Sequence, residues 1–231
     1  MLTFQRINNQ LPHSSENREF KLLALILSGF FFICFPLVQI YFKDSFFLQS
    51  YWNLFFFIAT LTALYFSKRL NFSQLGLSSP NSRSIRIGLI VGICPVLAVV
   101  ALDLLLVIMR FAKNDLFSGA ELREMPNQSI INSLIAGVLN PTISQIFITG
   151  YVLSILAKRN DMAIAGNGII YAAMNFNWGI GYLGLGMISA ALSRFSGSLI
   201  PSIFFAIGCS AAKLLILTSY PRITTLLVFL V

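Results

Sequence analysis

The stretch IINSLIAGVLNPTISQIFITGYVLSILA, residues 130–157, contains no charged side chain and decides what kind of molecule this is. A helix needs about 20 apolar residues to cross the hydrocarbon core of a bilayer, and this run exceeds that. Its one interruption is Asn140-Pro141, in the middle. Proline removes a backbone donor and clashes with the preceding turn, so a kink or a break into two pieces is expected there.

Outward from that run, the rest of the chain repeats the pattern. It is 57% hydrophobic and 10% charged, with a mean hydropathy of +0.81. Soluble domains carry roughly 25% charged residues, so the bulk of this chain belongs in lipid. The 22 phenylalanines agree, since Phe tolerates both lipid contact and helix packing. Further apolar runs lie at 21–42, interrupted by Pro36, and at 46–66. Others follow at 87–111, carrying Pro95 and Asp103, and at 162–175, 178–192 and 199–220. The expected fold is all-α, a polytopic transmembrane helical bundle of seven spans. Residues 223–231 are too short to cross alone; an eighth span needs them to complete a crossing, and otherwise they pack on the bundle or end at the interface. Residues 1–20 read as a polar cytoplasmic tail holding the single histidine, His13, and 21–231 as one transmembrane domain. Between the spans, 112–128 reads as an exposed loop or interfacial helix, and 158–161 as a turn. The first apolar run is too long for a signal-peptide core and no small-residue cleavage site follows it. No internal repeat and no soluble domain is legible.

A net charge of +8 would suggest nucleic acid in a soluble protein. Here the basic residues fall in short loops between apolar runs, which points to topology, so no nucleic-acid partner is expected. With the N-terminus cytoplasmic, the inner side holds Arg6, Arg18, Lys21, Lys68, Arg69, Arg83, Arg86, Lys158, Arg159 and Arg194. The outer side holds Lys43, Arg110, Lys113, Arg123 and Arg222. That asymmetry favours a cytoplasmic N-terminus in a plasma or other internal membrane. Cys34, Cys94 and Cys209 lie in apolar runs without a close Cys or His, and read as small core residues.

Three segments, in order, carry a family likeness. Pro141-Thr-Ile-Ser-Gln-Ile-Phe-Ile-Thr-Gly150 and its apolar tail resemble the first signature of the CPBP family, the CAAX proteases and bacteriocin-processing (Abi) proteins. That signature runs Pro, two apolar or small residues, Glu-Glu, three residues, then Arg-Gly. Pro141 and Gly150 keep their places, whereas the glutamates fall on Ser144 and Gln145 and the arginine on Thr149. The second signature, an aromatic with a histidine four residues on, falls on Tyr171 and Asn175. The third follows a turn resembled by Ser196-Gly-Ser-Leu-Ile-Pro201, and its histidine and Asn/Asp fall on Ala206 and Ser210. Leu75-Gly-Leu77 and Leu183-Gly-Leu-Gly186 are smaller echoes, and the likeness spans roughly residues 60–215.

The resemblance implies an intramembrane endopeptidase in which glutamates and histidines from separate helices converge on one water, with or without a metal. That water must lose a proton and the leaving amine must gain one. An amide at Gln145 takes up no proton near neutral pH, Asn175 replaces imidazole with a second amide, and Ala206 offers a methyl. The expectation is therefore a pseudoprotease that needs no cofactor or metal and serves as a membrane scaffold or binding protein. Its partners would be membrane lipid and another membrane protein or a lipidated or peptide ligand. The alternatives are an active CAAX-type intramembrane metalloendopeptidase, or a small transporter or channel component built around Asp103 and the polar positions. The plainest reading of Ser144, Gln145, Thr149, Asn175 and Ser210 is a neutral polar cluster tying facing helices together. Asp103 and Arg110, seven residues apart, share a helix face; an ion pair and a water-facing carboxylate stay equally open. Lys213, three residues after Ser210, reads as a snorkelling or carbonyl-bonded lysine, with a serine–lysine dyad as the catalytic alternative.

Overall fold

The computed structural model describes residues 13–70, 75–77, 82–110, 130–157, 162–219 and 223. Seven helical rods account for nearly all of them, and no strand occurs among the described residues. The first rod, α1, runs His13–Gly29, passes through a π-helical turn at Phe30–Cys34 and ends at Tyr41. Helix α2 is Phe46–Phe66, opened by Ser45, whose Oγ accepts from the Leu48 amide at 3.4 Å. Helix α3 is Ser82–Ile108 with Pro95 inside it. Helix α4 covers 130–156, α5 is Ala163–Met174, α6 is Ile180–Ser196 and α7 is Ile200–Ser219.

The seven rods fall on the seven apolar runs, so the helical membrane bundle stands. Four of them, spanning Asn17–Tyr41, Phe47–Phe66, Ser82–Ile108 and Asn132–Leu156, are long and apolar enough to cross a membrane by length and composition. Of the other three, α5 is the shortest: its 12 residues rise only about 18 Å. The mixed-charge loop 112–128, the turn 158–161, residues 1–12 of the tail and 224–231 lie outside the described residues. Ile223 is described, and it is buried with Val99, Leu106 and Ala212, so the chain there packs on the bundle.

Of the two outcomes expected at Asn140-Pro141 in α4, a kink or a break, the break is corrected. The helix does not split at Asn140-Pro141: Leu139 and Ser144 both hold right-handed helical dihedrals, and the rod continues. A π-helical turn, Ile135–Leu139, precedes the proline, and a longer π-helical segment, Gln145–Val152, follows it. A π turn shifts the hydrogen-bond register by one residue. It relocates the carbonyl that would meet the proline ring and absorbs the missing donor without a break. The same device precedes Pro36 in α1, where Phe30–Cys34 is the π turn.

Glycines set how closely the other helices approach. A Cβ on Gly208 of α7 would run into the Gly92 carbonyl of α3, and one on Gly92 would meet the Phe204 carbonyl at 2.8 Å. Gly88 lies against Pro201 and Phe204 farther up the same pair. Rising numbers on α3 meet rising numbers on α7, so these helices run parallel. Two parallel spans need an odd number of crossings between them, which fits the third and seventh rods, with α4, α5 and α6 in between. Helices α5 and α6 form an antiparallel hairpin closed at Gly168 and Gly186: a Cβ on Gly186 would meet Cα of Gly168 at 2.8 Å. In lipid, where apolar surface gains little by leaving the solvent, such close backbone approach is what holds helices together.

Candidate functional site

Helix α4 carries the polar positions inward. Along Gln145–Val152 the π-helical winding turns Gln145, Thr149 and Gly150 into the interior, and all three are buried. Thr149 Oγ1 accepts from Asn167 Nδ2 at 3.3 Å, and the same nitrogen donates to the Gly186 carbonyl at 2.8 Å. Asn167 therefore ties α4, α5 and α6 together. It sits four residues before Tyr171, on the same face of α5, and the sequence reading missed it. Its one signal was an amide in an apolar run, which marks no role by itself.

Gln145 occupies the centre with 0% exposure. The Tyr171 hydroxyl faces its amide, and Cys209 of α7 lies near the same hydroxyl. Neither Nε2 nor Oε1 of Gln145 makes a well-formed hydrogen bond, and Asn167 Oδ1 and Ser189 Oγ are also buried without one. Cys209, read from sequence as a small core residue, shares a turn of α7 with two expected positions, Ala206, which is fully buried, and Ser210, which is half-buried.

The expected polar cluster takes a different form. Ser144 is buried, but its Oγ donates within α4, to Asn140 Oδ1 at 3.4 Å. Asn175 is half-buried at the C-terminal end of α5 and donates to the Tyr171 carbonyl of its own helix at 2.8 Å. Neither bond joins helices, because each side chain sits one helical turn from an acceptor on its own rod. The links between elements come instead from Asn167, from Ser202 Oγ donating to the Ser189 carbonyl at 2.6 Å, and from Ser198.

The turn between α6 and α7 is built as its sequence suggests. Gly197 ends α6 at φ +66°, and Ser198 Oγ accepts from the Ile200 amide at 3.3 Å as α7 begins. Ser198 Oγ also donates to the Gly76 carbonyl at 3.3 Å, and the Leu199 amide donates to it at 3.2 Å. A Cβ on Gly150 would touch Leu199 at 3.2 Å and Leu75 at 3.3 Å. Three motifs remote in sequence, Leu75-Gly-Leu77, Gly150 and the 196–201 turn, thus meet at one end of the bundle.

Asp103 is buried on the α3 face that also carries Val99 and Leu106, the face packed toward α7. Arg110 is exposed beyond the end of that helix, at φ +59°. Lys213 is exposed while Ser210 is half-buried, a placement suited to a snorkelling lysine.

The expected positions and their neighbour supply amides, hydroxyls, a methyl and one thiol. Zinc is bound by thiolate, imidazole and carboxylate. Among the described residues no three His, Cys, Asp or Glu side chains lie together. This donor set does not fit a catalytic metal, and no general base is present at these positions.

A family model, type II CAAX prenyl endopeptidase Rce1-like, matches residues 126–212. The matched segment contains all three signature regions and excludes Leu75-Gly-Leu77. Searches among curated proteins and among solved structures find no match. The chain thus carries a segment similar to type II CAAX prenyl endopeptidases over residues 126–212, within a bundle in which four helices are long and apolar enough to cross a membrane.

Proposed function

We propose that this protein is a member of the CAAX endopeptidase family that does not hydrolyse peptides and instead binds a segment of another membrane protein or a lipidated peptide. The observation that carries the reading is Gln145. It is fully buried, faces the Tyr171 hydroxyl, and stands where the family signature sets a glutamate. General acid–base steps contribute about 10²–10⁴ in rate each, and the aligned positions hold Ser144, Gln145, Asn175 and Ala206, none of which titrates near neutral pH. An interior lined by amides and hydroxyls can still hold a peptide backbone, whose groups need the donors and acceptors that Gln145 and Asn167 present.

The test is reconstitution in liposomes with a fluorogenic, prenylated peptide. Wild type should bind it and release no fluorophore. A variant carrying Ser144→Glu, Gln145→Glu, Asn175→His and Ala206→His should gain cleavage if the aligned positions converge on one cleft. Turnover by the purified wild-type protein overturns the proposal.

A further inference from the structure

An open groove between α1 and α2 has a volume of about 560 Å³, and its lining includes none of Gln145, Thr149, Asn167 and Tyr171. Ala59 and Ala63 of α2 are small enough to leave it open, and Leu22, Ile26 and Ile33 form its α1 wall. From Leu22 to Ile33 the helix rises about 17 Å, roughly half of the ~30 Å hydrocarbon core. The groove is therefore one leaflet deep.

Its mouth is charged. Arg69 lines the Leu22 end. Arg18 is exposed four residues before Leu22, on the same face of α1, and Lys21 and Lys68 are exposed at that end as well. Glu19 lies among them, and its charge, like that of Arg69, reaches the Tyr151 hydroxyl. The Ser67 hydroxyl donates to the Leu64 carbonyl at 3.0 Å, so recognition at the mouth rests on the cations.

We propose that this groove binds one phospholipid with a net-negative headgroup, an acyl chain running from Leu22 toward Ile33 and the phosphate at Arg69 and Arg18. Depth selects a chain of one leaflet, and charge selects an anionic over a zwitterionic headgroup, at about 1 kcal/mol per basic residue near the membrane surface. The inference goes beyond the proposed function and does not depend on it, because no residue of the polar centre lines the groove.

The experiment is native mass spectrometry of the full chain, purified in detergent and offered phosphatidylglycerol and phosphatidylcholine in equal amounts. Wild type should retain one phosphatidylglycerol in preference. Arg69→Gln should reduce that preference about five-fold, and Arg18→Gln with it further. Ala63→Phe should displace the bound lipid while leaving the protein monodisperse, a readout separate from charge. Equal retention of both lipids, or a preference that survives Arg69→Gln and Arg18→Gln together, overturns the proposal. So does retention that is unchanged in Ala63→Phe.

Discussion

The aromatic stack around Phe30 and the interior around Gln145 are both closed to solvent, and they are closed by opposite means. In the first, Phe30 is fully buried, stacked on Trp52 at 4.6 Å and on Phe176 at 5.9 Å, and Phe35 stacks on Phe176 at 4.1 Å. Phe176 reaches that position from a left-handed backbone, φ +51°, immediately after Asn175. Ring faces meet, and among the described residues none of the buried side-chain polar atoms without a hydrogen bond belongs to this stack. In the interior, Gln145, Asn167 and Ser189 are equally inaccessible, yet four of their polar atoms make no well-formed hydrogen bond. The aromatic stack behaves as a structural core. The interior keeps hydrogen-bonding capacity that the described residues leave unused.

Substitutions can break that contrast, and the largest effect belongs to neither region but to the seam that positions both. Gly208→Leu should cost at least about 3 kcal/mol, since the side chain would have to occupy the space of the Gly92 carbonyl. Thermal unfolding in detergent reads this, with Gly184→Ala as the comparison, because a Cβ there meets nothing within 4 Å. Equal behaviour of the two variants would mean that α3 and α7 do not touch through their backbones. Next in size is Phe30→Ala. Lipid removes much of the transfer term that the same change carries in water, leaving lost ring contacts and a cavity, or about 2 kcal/mol. Phe32→Ala, whose side chain is 80% exposed, should shift the midpoint far less. Smaller again is Asn167→Ala, which removes the bonds to Thr149 and Gly186. Interhelical bonds of this kind are worth about 0.6–2 kcal/mol, and the unfolding midpoint should fall accordingly.

Much of the bundle was legible before any coordinates. Apolar runs dictate helices because lipid offers backbone groups no partner, and each of the seven rods falls on such a run. The turn at 196–201 was legible for a local reason: Gly197 and Ser198 supply the helix end and start that the chain needs there. What stayed hidden depends on contacts between remote segments. Pro141 announced a disruption, but whether a helix breaks or widens depends on what it packs against, and here it widens. Asn175 looked like a helix-joining amide and bonds its own helix instead, while Asn167, eight residues earlier, makes the join. Nothing local separates those two asparagines. The same holds for Phe176, whose stacking partners lie more than a hundred residues away.

The finest discrimination is at Gln145, where the sign of the effect carries the information. If the amide serves no folding role, Gln145→Leu keeps the volume, removes two buried polar atoms without well-formed bonds, and should raise stability by about 1 kcal/mol. Asn167→Ala lowers it, so two amides in one interior should move the unfolding midpoint in opposite directions. A fall with Gln145→Leu would assign the Tyr171 contact to structure, making the interior a polar core. A rise, together with weaker retention of the prenylated peptide, would show an amide held ready for a ligand at a cost to the fold. A buried amide that folding does not need costs stability, and a role in holding a ligand would account for its place at the position the signature resemblance gives to an acid.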